Sequence, residues 1–121
     1  MPDTGRIELG QLGESLAAEF LVNKGFVLLE RNLHLHLGEI DLLMQDGEVI
    51  VLIEVKTQRS AKLLDPIYKI SPAKQKKLWH LARVIAARYP NRNIRVDAVT
   101  LYWSQPETSP HIIHRENIIS S

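Results

Sequence analysis

The sequence predicts an α/β sandwich in which helices flank a mixed β-sheet, with the element order α-β-β-β-α-β-β. Two segments carry apolar residues at helical spacing, and five shorter segments have the apolar patterns of strands. The order of these segments favours helices packed on a mixed sheet over an all-helical or all-strand fold. The chain has 121 residues, which is enough for one hydrophobic core and too few for two, so residues 1–121 are expected to form a single domain.

Both helices are predicted from apolar residues that recur every three to four positions. The first helix is expected from about Glu8 to Lys24, with Gly25 as its stop signal. Its apolar stripe consists of Leu9, Leu12, Gly13, Leu16, Ala17, Phe20 and Leu21. The second helix is expected from roughly Pro72 to Tyr89, and Pro90 ends it because proline cannot continue a helix. Each apolar stripe is expected to pack against a β-sheet.

The strands are predicted from short apolar runs bounded by turn residues. The second and third runs are separated by Asp46-Gly47, a strong signal for a two-residue hairpin turn. Residues 57–71 are expected to form a loop between the third strand and the second helix. The predicted strands are Phe26–Asn32, Glu39–Met44, Glu48–Lys56, Ile94–Trp103 and His111–His114.

Composition excludes several classes of protein. Hydrophobic residues make up 45% and charged residues 24% of the chain, which are ordinary proportions for a folded globular domain. Cysteine is absent, so disulfides and thiol chemistry are excluded. The longest uninterrupted apolar run, Val49–Ile53, is far too short to span a bilayer, and the N-terminus lacks the pattern of a secretory signal. We therefore expect a cytoplasmic protein without a membrane partner, and the absence of nucleotide-binding fingerprints predicts no organic cofactor.

The charge is distributed unevenly along the chain. The net charge is only +1. However, the segment from Lys56 to Arg95 contains eleven Lys and Arg residues against a single acid, which gives it +10 and leaves −9 for the rest. Such asymmetry is typical of a domain with one positive surface for a polyanion, which makes nucleic acid a candidate partner. A helix with a solvated, lysine-rich face would produce the same asymmetry.

A candidate metal site follows from the alternation of side chains in the predicted hairpin. Glu54 and Lys56 share one face of the third strand. If Asp46 and Gly47 are the loop residues, Asp41 lies opposite Leu52 and diagonal to Glu54, while Glu39 lies directly opposite Glu54. Diagonal neighbours are roughly 7 to 8 Å apart at the backbone, so both carboxylates could reach one Mg²⁺. A shift of one residue in the register would reverse every side chain.

Each of these residues also has an ordinary interpretation. A bare Glu-x-Lys is most often a simple ion pair at the end of a strand, and Asp41 in register with Glu54 is what favours a metal site here. Glu14 lies at the edge of the first helix's apolar stripe, where it could reach the margin of the sheet or remain solvated. Gln58 continues the face of Glu54 and Lys56, where it could contact a phosphate, the lysine or nothing in particular.

Several short motifs resemble the YraN family of endonuclease-like proteins, in the same order and with the same spacing over nearly the whole chain. The most specific pair is Gly38-Glu39-Ile40-Asp41-Leu42 followed, about a dozen residues later, by Glu54-Val55-Lys56-Thr57. The other matching motifs are Gly13-Glu14, Glu30-Arg31-Asn32, Pro66, Lys74, Val96-Asp97 and His114-Arg115-Glu116-Asn117. In this family an arginine usually stands where this chain has Gln58.

This resemblance implies a restriction-endonuclease-like three-layer fold of the PD-(D/E)XK superfamily, related to archaeal Holliday-junction resolvases. It also implies Mg²⁺, with Mn²⁺ able to substitute, and hydrolysis of phosphodiester bonds in DNA, branched DNA included. Asp41 and Glu54 match the metal-binding carboxylates, Lys56 the catalytic lysine and Glu14 the helix acid of the resolvase branch. A homodimer is compatible with the resemblance.

Together these observations predict a catalytic site and a DNA-binding surface. Asp41, Glu54 and the Val55 carbonyl are expected to bind the metal, and Lys56 to orient a water molecule or help deprotonate it. The resemblance adds Glu14 to Asp41, Glu54 and Lys56 as an expected catalytic residue. The residues expected to contact DNA are Gln58, Arg59, Lys74, Lys76, Lys77, Arg83 and Arg88. The alternatives are a nucleic-acid-binding or partner-binding module that keeps the fold but cleaves nothing, and a structural protein whose acidic part recruits a basic partner.

Overall fold

The computed structural model describes residues 4–59, 70–105 and 108–119, and its elements occur in the predicted order. The helices are α1 (Thr4–Asn23) and α2 (Pro72–Arg88), and the strands are β1 (Val27–Leu35), β2 (Gly38–Asp46), β3 (Val49–Gln58), β4 (Ile94–Tyr102) and β5 (His111–Arg115). The largest differences from prediction are that α1 begins four residues before Glu8 and that β1 continues three residues beyond Asn32. Most of the predicted loop 57–71, including the family-matching Pro66, lies outside the described residues.

The strands form one five-stranded mixed sheet in the order β1-β2-β3-β4-β5. Only β3 and β4 pair in parallel, and α2 lies between them in the sequence; the other neighbours are antiparallel. A parallel pair needs a long crossover connection, whereas antiparallel neighbours can be joined by tight turns. The fold class predicted from the sequence is therefore confirmed.

Each helix covers one face of the sheet. On the first face, Ala17, Ala18 and Leu21 of α1 are buried against apolar residues of β2, β3 and β4. On the opposite face, Leu78, Leu81 and Ile85 of α2 are buried against Ile50, Leu52 and their neighbours. Because β3 is covered on both sides, it is apolar almost without interruption from Val49 to Ile53. This leaves Glu54 at the end of the most deeply buried strand.

The apolar stripe of α1 is narrower than the sequence predicted. Leu12 was assigned to the core face, but its side chain is 48% exposed. The small residues Gly13, Ala17 and Ala18 form the buried contact instead, because they allow the helix to approach the sheet closely. Within the described residues, neither helix combines the length and apolarity needed to cross a membrane.

The predicted register of the β2–β3 hairpin is wrong by two residues. The turn consists of Gly47 and Glu48, and Asp46 pairs with Val49. Gly47 has φ of +59°, and glycine at the first central position of a two-residue loop is typical of a type II′ turn. A type I′ turn at Asp46-Gly47 would need two residues with positive φ. Since a shift of two residues preserves the side-chain faces, the predicted grouping of Asp41 with Glu54 is not reversed.

Candidate active site

The candidate site lies where β2 and β3 stop pairing. Their backbone pairing runs from Asp46↔Val49 to Leu42↔Ile53 and ends there, although both strands continue. Beyond that point β2 pairs with β1, and β3 pairs with β4. The Asp41 Oδ2 atom accepts a hydrogen bond of 2.8 Å from the Val55 N–H. A side-chain carboxylate thus replaces a backbone carbonyl at the point where the sheet splits.

Glu54 is the least solvated carboxylate of this site. The residue is only 2% exposed, and its Oε1 atom lies 3.4 Å from Lys56 Nζ and 3.6 Å from Lys74 Nζ. Its Oε2 atom is buried and has no hydrogen-bond partner among the described residues. A buried charged oxygen without a partner carries a desolvation cost. The two ammonium groups therefore compensate the negative charge of Glu54 at Oε1, whereas Oε2 has no compensating contact among the described residues.

Asp41 responds to the same crowding of negative charge. Burial, followed by the nearby charge of Glu54, raises the pKa of Asp41 from 3.8 to about 6, against the lowering effects of the Val55 N–H and Lys74. Two carboxylates that share a site disfavour each other's ionisation. The structure thus brings Asp41, Glu54 and Lys56 together, as the side-chain pattern predicted, but through a different register.

Glu14 reaches this group of carboxylates from α1. Burial, and secondly the charge of Asp41, raise the pKa of Glu14 above its ordinary value, although a hydrogen bond from Asn32 opposes the shift. With its amide nitrogen turned toward the acids, Asn32 donates to Glu14 Oε1 at 3.0 Å and to Glu39 Oε1 at 2.9 Å. Asn32 has φ of +50°, a left-handed conformation that asparagine tolerates better than most residues. Glu39 pairs with His34 of β1 and does not lie opposite Glu54 as predicted.

The close approach of α1 to the site depends on Gly13. A Cβ atom at this position would overlap Thr57 Oγ1 and lie 3.2 Å from the Thr57 Cβ. Thr57 directly follows Lys56 in β3, so the helix contacts the strand that carries Glu54 and Lys56. Gly13 therefore allows the next residue, Glu14, to approach the sheet.

Lys74 belongs to this site more directly than the sequence analysis proposed. It was grouped with the DNA-contacting lysines, but its Nζ atom lies 3.6 Å from Glu54 Oε1. Its backbone N–H donates to the Oγ of Ser71, the N-cap residue of α2. The signal for this position is in the sequence: Lys74 precedes the buried Leu78 by four residues, so both side chains lie on the helix face that covers the sheet.

The other residues predicted to contact DNA divide into an exposed group and one buried residue. The exposed group consists of Arg59, Lys76, Lys77, Arg83 and Arg88. The Arg83 guanidinium lies 4.8 Å from the centre of the Trp79 ring, where it makes a cation–π contact. Gln58, by contrast, is only 7% exposed. Its burial favours a role in fixing the end of β3 over contact with a phosphate in solvent.

The donor set at the site suits some metals better than others. Among the described residues no group of three or more His, Asp or Glu side chains is arranged to hold a metal ion. Mg²⁺ is commonly bound through one or two carboxylates and retains several water ligands. Asp41 and Glu54 fit that pattern, because Glu54 Oε2 is an oxygen donor with no other partner.

A second buried carboxylate lies on the opposite face of the sheet. Asp97 is fully buried, and its Oδ1 accepts from Arg95 Nε at 2.8 Å and from the Asn117 N–H at 2.9 Å. Its Oδ2 accepts from Arg95 Nη2 at 2.9 Å and from His114 Nε2 at 2.8 Å. The Lys24 ammonium lies 2.7 Å from His114 Nδ1, and since it can only donate, His114 carries its proton on Nε2.

The Asp97 cluster has a structural role. It joins β4 to β5 and to the segment after β5, because Arg95 and Asp97 lie in β4 and His114 in β5. In the sequence, Asp97, His114 and Asn117 stand out only as parts of family-matching motifs. Their spacing in the sequence gave no separate indication that they meet.

A mixed sheet between two helices, with converging acids and a lysine where two strands separate, defines an α/β sandwich of the nuclease-like class. The profile of Uncharacterised protein family UPF0102 matches residues 13–101. The chain belongs to this family, the YraN group of endonuclease-like proteins, so the resemblance stated from the motifs is confirmed.

Relatives match the chain over most of its length. A UPF0102 protein from Renibacterium salmoninarum is 43% identical over 112 residues, covering 90% of this chain and 93% of its own length. One from Thermodesulfovibrio yellowstonii is 40% identical over 100 residues, or 79% of this chain and 87% of the relative. One from Caldicellulosiruptor saccharolyticus is 40% identical over 99 residues, or 80% and 84%. These proteins carry the family name without an activity.

Proposed function

We propose that this protein is a metal-dependent nuclease that hydrolyses phosphodiester bonds in DNA. The proposal rests on the proximity of two carboxylates, those of Asp41 and Glu54, whose charges repel each other. In addition, the Glu54 Oε2 atom is buried without a hydrogen-bond partner among the described residues. Natural proteins rarely retain a buried, unsatisfied charged oxygen unless it has a function. A divalent cation would relieve both the repulsion between the carboxylates and the desolvation of Glu54.

Three groups would hold this cation. Glu54 would use Oε2, since Oε1 already lies near two ammonium groups, and Asp41 would use its carboxylate. The Val55 N–H points toward Asp41, and in an extended strand the N–H and C=O of one residue lie on the same edge, so the Val55 carbonyl is the third donor. When bound, Mg²⁺ or Mn²⁺ lowers the pKa of a coordinated water and neutralises charge on the scissile phosphate.

Lys56 and Lys74 would position the phosphate and the attacking water from two directions. Both ammonium groups lie within 3.6 Å of Glu54 Oε1, and both side chains are about 30% exposed, so solvent and substrate can reach them. Lys56 would hold the water and assist removal of its proton, as a lysine beside carboxylates can do. Lys74 would donate to a phosphate oxygen. Glu14 would accept a hydrogen bond from Asn32, which also donates to Glu39, and so help to fix the start of β2 two residues before Asp41.

The exposed basic residues of α2 would bind the DNA backbone. Lys76, Lys77, Arg83 and Arg88 lie outside the buried face of this helix. Contacts of this kind with phosphates position DNA without selecting a base sequence, and they weaken as salt is raised. Structure-selective cleavage, for example of branched DNA, is compatible with such a surface.

The test is a cleavage assay on linear, flapped and four-way-junction DNA with Mg²⁺, Mn²⁺ or a chelator. Metal-dependent cutting by the wild type is expected, and we expect Glu54→Gln and Lys56→Ala to lose at least about 100-fold in rate. Glu19→Gln, at an exposed position of α1, is the matched control and should cut at the wild-type rate. Cutting that survives the chelator, or that Glu54→Gln retains, would contradict the proposal.

The second candidate is a nucleic-acid-binding module that keeps the fold without cleaving. It is favoured by Gln58, which is only 7% exposed and stands where this family usually has an arginine. It predicts salt-sensitive DNA binding that Lys76 and Lys77 support and that neither metal nor Glu54→Gln changes. DNA binding by the wild type without any metal-dependent cutting would establish this candidate instead.

A further inference from the structure

A groove lies beside the candidate active site, between α2 and the turn that joins β1 to β2. Its volume is about 560 Å³, which lies within the range of ligand-binding clefts. It is lined by Leu37, Ala73, Lys74, Lys76, Lys77 and His80. No acidic side chain is among these lining residues, so the groove suits an anionic occupant.

The wall of the groove on the β1–β2 side depends on Gly38. This residue has φ of +153°, and a Cβ atom built on it would lie 3.0 Å from Lys77 Cε and 3.5 Å from Lys77 Cδ. The aliphatic part of Lys77 therefore crosses from α2 to the turn and lies on the glycine. This contact keeps the lysine stem in the groove, and the ammonium also lies close to the glycine, 3.6 Å from the same Cβ position.

The groove also contains an apolar residue that the hydrophobic core does not use. Leu37 is 47% exposed and stands at the tip of the β1–β2 turn, beside the lysines of α2. An exposed leucine beside cationic side chains offers a ligand both an apolar contact and positive charges that attract an anion. An unpaired nucleotide offers this combination, because its base presents an apolar face and its backbone carries a phosphate. A base within a duplex has its faces covered by stacking.

Lys74 links the groove to the carboxylates. Lys74 lines the groove and lies 3.6 Å from Glu54 Oε1. A strand bound along α2 would therefore bring a phosphate to the place where Asp41 and Glu54 converge.

From these contacts we propose that the groove binds an unpaired DNA strand next to the phosphate that is cut. This inference rests on the proposed function and names its substrate class. Lys76 and Lys77 bind the phosphates of the unpaired strand, and Leu37 contacts a base. Lys74 binds the phosphate that enters the site. The preferred substrate is then a flap or a junction with unpaired nucleotides, and a fully paired duplex binds less tightly.

The test compares binding of flapped and blunt DNA of equal length, followed by fluorescence anisotropy in Ca²⁺ so that binding is measured without cutting. Leu37→Ala is expected to weaken flap binding by about three- to tenfold through loss of apolar contact and to leave blunt duplex unchanged. Leu12→Ala is the matched control, since Leu12 is equally exposed but lies on α1. Lys77→Gln should lower the salt slope for the single strand by about 0.7.

The inference is overturned if Leu37→Ala and Leu12→Ala bind flapped DNA equally well, or if Leu37→Ala weakens flap and duplex by the same factor. Displacement of the flap by polyglutamate as readily as by an unlabelled oligonucleotide would also overturn it, because the groove would then recognise charge alone. These outcomes are separable from failure of the proposed function. If the wild type cuts flaps but Leu37→Ala binds them normally, the nuclease proposal stands and the groove proposal fails. If the wild type cuts nothing but Leu37→Ala selectively weakens flap binding, the groove proposal stands and the nuclease proposal fails.

Discussion

The two buried carboxylate clusters of this sheet differ in how completely their oxygens are bonded. Asp97 and Glu54 lie at adjacent levels of the paired strands β3 and β4, since Asp97 pairs with Ile53 and Glu54 with Ala98, and their side chains point to opposite faces. Asp97 accepts four hydrogen bonds on its two oxygens. Glu54 has two ammonium groups near one oxygen and no hydrogen-bond partner within the described residues for the other.

This difference separates a structural acid from a candidate functional one. The Asp97 cluster is closed, because each oxygen is satisfied by groups of β4, β5 and the segment that follows. The hydrogen bonds that Arg95 donates to Asp97, with smaller contributions from Asp46 and Glu116, also raise the pKa of Arg95 above its ordinary value. The Asp41–Glu54 pair is open, and burial, followed by the charge of Glu54, raises the pKa of Asp41. Burial alone therefore does not distinguish the two roles, whereas the count of satisfied oxygens does.

The largest effect on stability is expected from removing the negative charge of Asp97. Asp97→Asn should lower the free energy of unfolding by about 3 kcal/mol, because Arg95 loses its fully buried charge partner and keeps only the more exposed Asp46 and Glu116. The amide would also direct an N–H group at one of the existing donors. Urea denaturation measures the change. Asp46→Asn is the control, since Asp46 contacts the same Arg95 at 3.1 Å from a more exposed position, and it should cost about 1 kcal/mol or less. Equal effects of the two substitutions would contradict the comparison.

The next effect concerns the contact that brings α1 to the open cluster. Gly13→Ala should destabilise the protein by about 1 to 3 kcal/mol, because the new Cβ overlaps Thr57 and the helix must move away. A shift of α1 would also displace Glu14. Gly10→Ala is the matched control in the same helix, where a Cβ meets nothing within 4 Å, and it should stabilise by up to about 1 kcal/mol. Thermal unfolding of both variants distinguishes them, and a Gly13→Ala protein as stable as Gly10→Ala would refute this packing.

The smallest effect on stability is expected from removing the negative charge of Asp41. The folded protein binds the Asp41 proton more tightly than the unfolded chain does, since folding raises the pKa of Asp41 to about 6. Ionisation of Asp41 therefore destabilises the fold, with no effect below about pH 4, a growing effect between pH 4 and 6 and a constant effect above. Asp41→Asn should be more stable than the wild type by about 1 to 2 kcal/mol at pH 7 without metal.

Urea titrations from pH 4 to pH 7 test this prediction. The wild type should lose stability relative to Asp41→Asn as the pH rises through this window, whereas Glu19→Gln should follow the wild type. Addition of Mg²⁺ should narrow the difference at pH 7, because the cation compensates the carboxylates of the wild type alone. Parallel pH profiles for the wild type and Asp41→Asn would show that the carboxylates do not interact as proposed.

The sequence predicted the layers of the fold well because its helices and strands have clear apolar periods. It predicted Asp41, Glu54 and Lys56 on one face of the sheet for the same reason. The error of two residues in the hairpin register left this grouping unchanged, because side chains in a strand alternate with period two. The proximity of Lys74 to Glu54 was not predicted, because the charge of Lys74 was weighed above its spacing from Leu78, and its contact with DNA stays a prediction. The Asp97 cluster and the bridging role of Asn32 depend on contacts between distant segments, and no local pattern encodes those contacts.

Direct measurement of divalent-cation binding tests the central claim that Asp41 and Glu54 form an open metal site. Mn²⁺ titrations followed by electron paramagnetic resonance would be carried out on the wild type, Glu54→Gln and Glu19→Gln, with folding checked by circular dichroism. We predict saturable binding of a single Mn²⁺ per chain to the wild type and to Glu19→Gln, and its loss in folded Glu54→Gln. Binding that Glu54→Gln retains at full affinity, or a wild type that binds no Mn²⁺, would contradict the account.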